Sequence, residues 1–164
     1  MSAAAALVTL ASEPGIGVTE LGRRVGLSQS AAVRMIDGLA ARGLAVRETA
    51  GPPGRAARPA VPAAPAADPP GPDGRTVTLR LTPAGRRAAR RVLAEREGAL
   101  LQLLSPLSDD ALPALDAALS AVLDGLTGKG ARVNHTCRLC DERACTAVAP
   151  CPVDEAWRRG ASGC

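Results

Sequence analysis

Four cysteines near the carboxyl end of the chain have the residue type and spacing of a metal site. They follow the pattern C-x2-C-x4-C-x5-C and are Cys137, Cys140, Cys145 and Cys151. Four thiolates this close in sequence can surround a tetrahedral Zn²⁺, and two residues between the first pair are typical of a metal-binding turn. The cluster therefore predicts a zinc site, with either a structural or a sensory role.

Other uses of these thiols stay open, namely an iron–sulfur cluster, reversible disulfides or inert thiols. The Cys151-Pro152 pair occurs in ferredoxin-type ligation, although the other spacings depart from that pattern and lie closer to a zinc knuckle. His135 is a further candidate ligand, but a lone solvent-facing His is the simpler interpretation. Cys164 is expected to lie outside the cluster. Permanent disulfides are disfavoured in a cytosolic protein.

A second group of polar residues stands at the start of a helical pattern. Ser28 is a candidate N-cap, followed by Gln29 and Ser30, and Arg34 lies one turn further along the same side. Short polar side chains at a helix N-terminus can reach base edges, while the helix dipole faces phosphate. Helix capping alone is the alternative role for Ser28, and a solvated surface position is the alternative for Arg34.

The charge distribution points to a polyanionic partner for the first part of the chain. The net charge is +4, but residues 1–96 carry 14 Lys or Arg against 7 Asp or Glu, whereas residues 97–164 carry 6 against 9. A basic surface attracts nucleic acid through counterion release. A solvated surface explains the same charges, so they favour DNA without identifying a target.

Helical periodicity predicts the elements that position the polar group. Residues 3–12 form a first helix that ends before Pro14-Gly15, and a second helix has Thr19 as N-cap and ends at Gly26. The third helix covers residues 29–42, with Val33, Ile36 and Leu39 at helical spacing. Two short helices thus meet through a tight turn.

Two strands and two longer helices follow. Leu44 and Val46 alternate with polar or small residues, as do residues 76–81, so an antiparallel hairpin is expected. Residues 50–72 lie between the strands with eight Pro, eight Ala and three Gly, which predicts a disordered wing tip. Thr82-Pro83 begins a helix that reaches Leu104, and a last helix begins after Ser108 with apolar residues up to Leu126.

This order predicts a mainly α fold with a small β-hairpin, namely a winged helix-turn-helix with C-terminal dimerisation helices. The expected divisions are a DNA-binding domain at 1–82, a helical dimerisation region at 83–127 and a Cys-rich tail at 131–164. The chain resembles the MarR family of bacterial regulators in LVTLASEPGIGVTELGRRVGLSQSAAVRMIDGLAARGLAVRE and again in DGRTVTLRLTPAGRRA. The resemblance covers roughly residues 5–127.

The resemblance implies further residues and partners. The wing Arg of the family enters the minor groove and a neighbouring Asp holds it, which corresponds here to Arg75 and Asp73. It also implies a homodimer on operator DNA and a small aromatic or anionic effector. Family members have an extra helix before the first one here, so dimerisation is expected to rest on Leu100–Leu126 or the true start to lie upstream.

A transcription regulator, most simply a repressor, explains both halves of the chain. The alternative is a metal- or redox-sensing protein whose tail carries the chemistry and whose helix-turn-helix only docks a partner. An enzyme is disfavoured because the single His lies in the tail and no phosphate-binding glycine loop is found.

With no apolar run long enough to span a bilayer, a cytoplasmic location and no membrane partner are expected.

Overall fold

The computed structural model describes residues 2–50, 76–127, 136–141, 145–147 and 149–161. The first part contains α1 (Ser2–Ser12), α2 (Val18–Val25), α3 (Gln29–Ala41), β1 (Ala45–Ala50) and β2 (Thr76–Leu81). It is followed by α4 (Pro83–Leu104), α5 (Ala111–Thr127) and α6 (Pro152–Ala161). The predicted mainly helical fold with a small antiparallel hairpin is confirmed.

The chain divides into two compact units, Met1–Arg90 and Arg91–Cys164. In the first unit, four elements bury their large apolar side chains in one core. The largest fully buried side chains come from α1, α2, α3 and β2, and are Leu10, Leu21, Ile36, Leu39 and Leu79. Each such side chain stabilises the fold by roughly 1.5–3 kcal/mol relative to exposure. The first unit is therefore held by aliphatic packing.

The turn between α2 and α3 is fixed by close backbone approach. Gly26 ends α2 in the left-handed conformation with φ 75, and the Leu27 amide donates to the Gly22 carbonyl at 2.8 Å. A Cβ added at Gly22 would stand 2.9 Å from the Ala32 Cβ. Because a side chain at Gly22 would force the two helices apart, glycine there sets how α3 is presented.

The hairpin pairs β1 with β2 from Ala45 opposite Leu81 to Ala50 opposite Thr76. The loop after α1 adds to this sheet, because the Gly15 amide donates to the Leu79 carbonyl at 2.8 Å. The Leu79 amide in turn donates to the Ile16 carbonyl at 3.0 Å. The hairpin is thus hydrogen-bonded through β2 to the loop that follows α1.

Two expectations about helix starts were wrong, and the structure decides which side of β1 faces the core. Helix α2 begins at Val18 with Gly17 as N-cap and no side-chain cap, so Thr19 lies inside the first turn. In β1 the buried side chain is Ala45, whereas Val46 is 42% exposed, because the pleat turns Ala45 with Leu81 towards the core. The last helix begins at Ala111, since the Ala111 amide bonds to the Ser108 carbonyl in a preceding turn.

Candidate nucleic-acid interface and cysteine cluster

Helix α3 presents the predicted polar residues to solvent. Ser28 is its N-cap, and the Ser28 hydroxyl accepts a hydrogen bond from the Ala31 amide at 3.4 Å. The Ser28 and Ser30 hydroxyl oxygens lie 3.4 Å apart. Ser28, Gln29, Ser30 and Arg34 are all exposed. The N-terminal turn therefore offers hydroxyl, amide and guanidinium groups together with unpaired helix amides.

The side of α3 opposite Ser30 and Arg34 anchors the helix in the core. Ala32, Ile36 and Leu39 are buried at 0%, 0% and 2% exposure. Since residues three and four apart share one side of a helix, this buried side fixes the rotation of α3 about its axis. Arg34 is held on the solvent side and makes no ion pair with a residue in the described part of the chain.

An ion pair that the sequence pattern did not indicate joins α3 to the hairpin. The Arg47 guanidinium on β1 lies 2.7 Å from the Asp37 carboxylate on α3. Asp37 is one turn beyond Arg34, so the pair stands directly beside the predicted DNA-binding residues. The pair neutralises the positive charge of Arg47 and links the position of β1 to that of α3.

A second charge network holds α2. Glu20 in the first turn accepts hydrogen bonds from Arg23 at 2.7 Å and from Arg24 at 2.7 Å, and Arg24 also pairs with Glu13 after α1. The bond from Arg23 holds the pKa of the Glu20 carboxyl below its usual value, and the Arg24 bond adds to this effect while burial opposes it. Glu20 is thereby kept charged at the positive end of the helix dipole.

The connection from β2 to α4 depends on Thr82 and Gly85. The Thr82 hydroxyl accepts from the Gly85 amide at 3.0 Å and donates to the Gly43 carbonyl at 2.6 Å. A Cβ at Gly85 would stand 1.9 Å from the Leu44 carbonyl oxygen. The predicted Thr-Pro helix start is confirmed, and the glycine allows α4 to lie against the chain entering β1.

The two predicted wing residues, Asp73 and Arg75, lie outside the described residues. The structure brings the strands together as far as the pair Ala50 and Thr76, which directly follows Arg75 in sequence. On the hairpin itself, Arg80 of β2 pairs with Glu48 of β1 at 2.7 Å. The minor-groove role of Arg75 stays a prediction.

In the second unit the four cysteines are half-buried, and within the described segments they are not joined in disulfides. The Cys140 amide donates to the Cys137 carbonyl at 2.9 Å, which closes a turn between the first two thiols. The Cys145 amide donates to the Asp141 carbonyl at 2.9 Å. The Cys151 carbonyl accepts from the Glu155 amide at 3.0 Å, so Cys151 stands at the start of α6.

The thiol of Cys140 is close to two of the other cysteines. Burial raises its pKa to about 11, and the neighbouring Cys145 and Cys137, with a hydrogen bond to Cys145, act in the same direction. The Arg96 guanidinium, which donates to the Leu139 carbonyl, partly offsets this rise. In the ranges that the structure describes, no three His, Cys, Asp or Glu side chains are already arranged to hold a metal ion. His135 lies outside those ranges.

Comparison with known proteins gives a consistent answer for the first unit. The sequence profile of the MarR family matches residues 1–56. The PcaV transcriptional regulator from Streptomyces coelicolor is 26% identical, with 76% of this chain and 77% of that chain covered and a TM-score of 0.51. The resemblance to the MarR family is confirmed.

Two further solved structures are similar to this MarR-like chain. RV1404 from Mycobacterium tuberculosis is 22% identical over 76% of this chain and 71% of that chain, with a TM-score of 0.55, and supports the fold. A MarR family transcriptional regulator from Silicibacter pomeroyi is 24% identical over 76% and 70%, with a TM-score of 0.48. No curated protein matches the chain significantly. The cysteine segment is an addition to the MarR-like part.

Proposed function

We propose that this MarR-like chain binds operator DNA as a homodimer and acts as a transcriptional repressor without catalysing a reaction. One observation carries the proposal. Helix α3 exposes Ser30 and Arg34 on the side opposite its buried face, and it exposes Gln29 in its first turn. A helix held in this way can enter the major groove with its N-terminal turn against base edges.

Each exposed group of α3 has a distinct part in this proposal. Gln29 carries an amide that can donate and accept at an adenine edge, and Arg34 can bind a guanine edge through two hydrogen bonds. The Ser28 hydroxyl caps the helix, so Ser28 and the first helix amides contact phosphate. Arg47 is paired with Asp37 and therefore positions the hairpin instead of adding free charge. Arg75 and Asp73 complete the interface in the minor groove.

The apolar residues of α4 and α5 support the homodimer. In the second unit these side chains are exposed in a single chain, and they are Leu100, Leu101, Leu103, Leu104, Leu112, Leu119, Val122 and Leu126, with Leu107 in the connection between the helices. So many exposed leucines on two successive helices are typical of a surface that another molecule covers. A second copy is the proposed cover, and two recognition helices then read half-sites about one DNA turn apart.

Two other expectations, the small-molecule effector and the cytoplasmic location, stay predictions. Among the helices in the described residues, none is long and apolar enough to cross a membrane.

The experiment compares two variants that each remove one Arg charge. Arg34→Ala deletes the proposed base contact, and the matched control Arg91→Ala deletes an Arg that pairs with Glu95 on α4. Binding is measured by fluorescence anisotropy on the intergenic DNA beside the gene and on random DNA of equal length at fixed salt. Arg34→Ala is expected to weaken specific binding about 5–100-fold, because one bidentate base contact is worth about 1–3 kcal/mol.

The control is expected to change the affinity less than about twofold, since an exposed ion pair contributes little and one charge changes the total field only slightly. Arg75→Ala, measured alongside, tests the wing. Equal losses of DNA affinity in Arg34→Ala and Arg91→Ala would mean that α3 acts only as part of a general basic surface. Equal affinity of the wild-type chain for intergenic and random DNA would overturn operator binding itself.

A further inference from the structure

The segment around α6 has little apolar burial to hold it. Within residues 136–141, 145–147 and 149–161, the buried apolar side chains are Val153 and Ala156. Two such side chains contribute a few kcal/mol at about 25 cal/mol per Å². Ordering each backbone residue costs about 1–2 kcal/mol, so a segment of this length needs a further source of stability.

Ion pairs do not supply that stability. Arg159 pairs with Asp124 of α5, and Arg158 pairs with Asp154 inside α6, but the Arg side chains are largely exposed and the carboxylates are nearly half exposed. Exposed ion pairs contribute at most about 1 kcal/mol each. Small segments that lack a core are usually held by disulfides or by a metal ion.

The Cys140 thiol of this segment lies near Cys137 and Cys145. The four cysteines are half-buried, whereas most of the polar side chains around them face solvent. Cys137 and Cys140 are brought together by a backbone turn, and the Cys140 thiol is hydrogen-bonded to Cys145. Cys151 stands at the start of α6, which carries the buried Val153 and Ala156. A cation bound here would join α6 to the preceding turn.

We propose that Cys137, Cys140, Cys145 and Cys151 bind one Zn²⁺ in a structural site that holds the segment around α6. Binding converts four thiols and Zn²⁺ into a tetrathiolate complex with a net charge of −2 and releases four protons to solvent. The Arg96 guanidinium next to Cys140 partly balances the negative charge. Four sulfur ligands in a tetrahedron suit zinc better than hard cations such as Mg²⁺ or Ca²⁺.

The neutral thiols and the zinc-bound thiolates require different side-chain positions. Protonated thiols hydrogen-bond to one another, as Cys140 does with Cys145, whereas thiolates repel one another and converge only on a cation. The described side chains accordingly do not yet form a closed metal-binding group. We expect zinc binding to draw the four side chains together, because metal binding is commonly coupled to folding.

The test measures metal in the full chain, purified without chelator from zinc-containing medium. The variants are Cys140→Ser and Cys145→Ser, and the matched control is Cys164→Ser, because Cys164 lies outside the C-x2-C-x4-C-x5-C pattern. Plasma mass spectrometry should give about one zinc per chain for the wild type and for the control. The two ligand variants should bind zinc more weakly by over about 100-fold, which exceeds the usual loss from an outer-shell change.

Two further measurements test metal binding in the wild-type chain, without relying on the variants to fold and without measuring DNA binding. Titration of the chelator-treated wild type with Co²⁺ should produce thiolate-to-metal charge-transfer bands and intense tetrahedral visible bands. Trp157, the single Trp of the chain, lies in α6, so its fluorescence should change on zinc removal and return on zinc addition. DNA affinity of the first unit is measured separately, so failure there does not decide the zinc site.

Three outcomes would overturn the proposal. The first is zinc below about a tenth per chain together with no charge-transfer bands from Co²⁺. The second is a coloured protein that contains iron and inorganic sulfide, which would assign the cysteines to an iron–sulfur cluster. The third is equal zinc loss in Cys164→Ser and Cys140→Ser, which would show that the pattern does not define the ligands.

Discussion

The two units of the chain differ in how their apolar side chains are used. In residues 1–90 the large aliphatic side chains of α1, α2, α3 and β2 are buried, with Leu21, Ile36 and Leu79 at 0% exposure. In residues 91–164 most leucines of α4 and α5 are exposed, and Leu103 reaches 74%. The first unit is therefore complete within one chain, whereas the second carries surfaces and thiols that a further copy or a metal ion would complete.

This contrast matters for function because a DNA-reading helix must be held rigidly by its own chain. The exposed residues of α3 belong to a helix whose other side is buried in the core. Helix α2 packs against α3 so closely that a Cβ added at Gly22 would stand 2.9 Å from the Ala32 Cβ. Groups fixed in this way lose little entropy on binding. The exposed surfaces of the second unit suit association instead, since they gain most when another molecule covers them.

The largest expected effect comes from Gly85→Ala in the first unit. The added Cβ would stand 1.9 Å from the Leu44 carbonyl oxygen, so the backbone must move. We expect a loss of more than about 3 kcal/mol in the free energy of unfolding, at the upper end of overpacking costs. Urea unfolding followed by far-UV circular dichroism measures it, with Trp157 fluorescence as a separate signal for the second unit.

The control for this prediction is Gly98→Ala in the same helix. Nothing lies within 4 Å of a Cβ added at Gly98, so alanine should raise stability by about 0.4–1 kcal/mol through its higher helix propensity. Similar losses in the two variants would mean that α4 does not pack against Leu44 as described.

A matched pair of leucine truncations sharpens the contrast between the units. Leu21→Ala removes a fully buried side chain and should lower the free energy of unfolding by about 3 kcal/mol. Leu103→Ala removes an exposed side chain and should change the stability of the dilute chain by less than about 0.5 kcal/mol while weakening the proposed dimer. Denaturant unfolding at low concentration and sedimentation equilibrium separate these effects. A dimer unaffected by Leu103→Ala would argue against this part of the surface as the interface.

The smallest effect is a pH dependence in the first unit. The pKa of Glu20 is lowered in the folded chain, so Glu20 adds stability above its unfolded pKa, and this contribution disappears as the pH falls through the lower folded pKa. Glu20→Gln should therefore cost about 1 kcal/mol at neutral pH and nothing in strong acid. Unfolding curves of both proteins at several pH values measure the difference.

The control Glu95→Gln removes a carboxylate whose partner Arg91 is fully exposed. Because solvent screens that pair, this variant should follow the wild type at every pH. A constant difference between Glu20→Gln and the wild type across the pH range would assign the effect to packing instead of charge.

Much of the first unit could be predicted from local rules. The Ser28 cap, the left-handed Gly26 and the Thr82-Pro83 start each depend on a few neighbouring residues, and the structure has all three. The exposed side of α3 also followed, because its apolar spacing assigned Ile36 and Leu39 to the core. Local signals succeed where a single turn of backbone decides the outcome.

The sequence misled, or left a choice open, where two local choices were nearly equal. Thr is a residue type that often caps helices, but α2 already includes Val18, and Gly17 is its N-cap. In β1 either alternate set of side chains could have faced inward, and pairing of Ala45 with Leu81 decided between them. A shift of one residue in a strand reverses its two faces, so an alternating pattern with small residues leaves the choice open.

By itself, then, the amino-acid sequence determined the order of helices and strands, the polar start of α3 and the spacing of the four thiols. Only the tertiary structure decided the Asp37–Arg47 pair, the close approaches at Gly22 and Gly85, and the exposure of the α4 and α5 leucines. The physical reason is the range of the interactions. Caps and periodicity act within one or two turns, whereas an ion pair, a backbone contact or the burial of a leucine depends on segments that folding alone brings together.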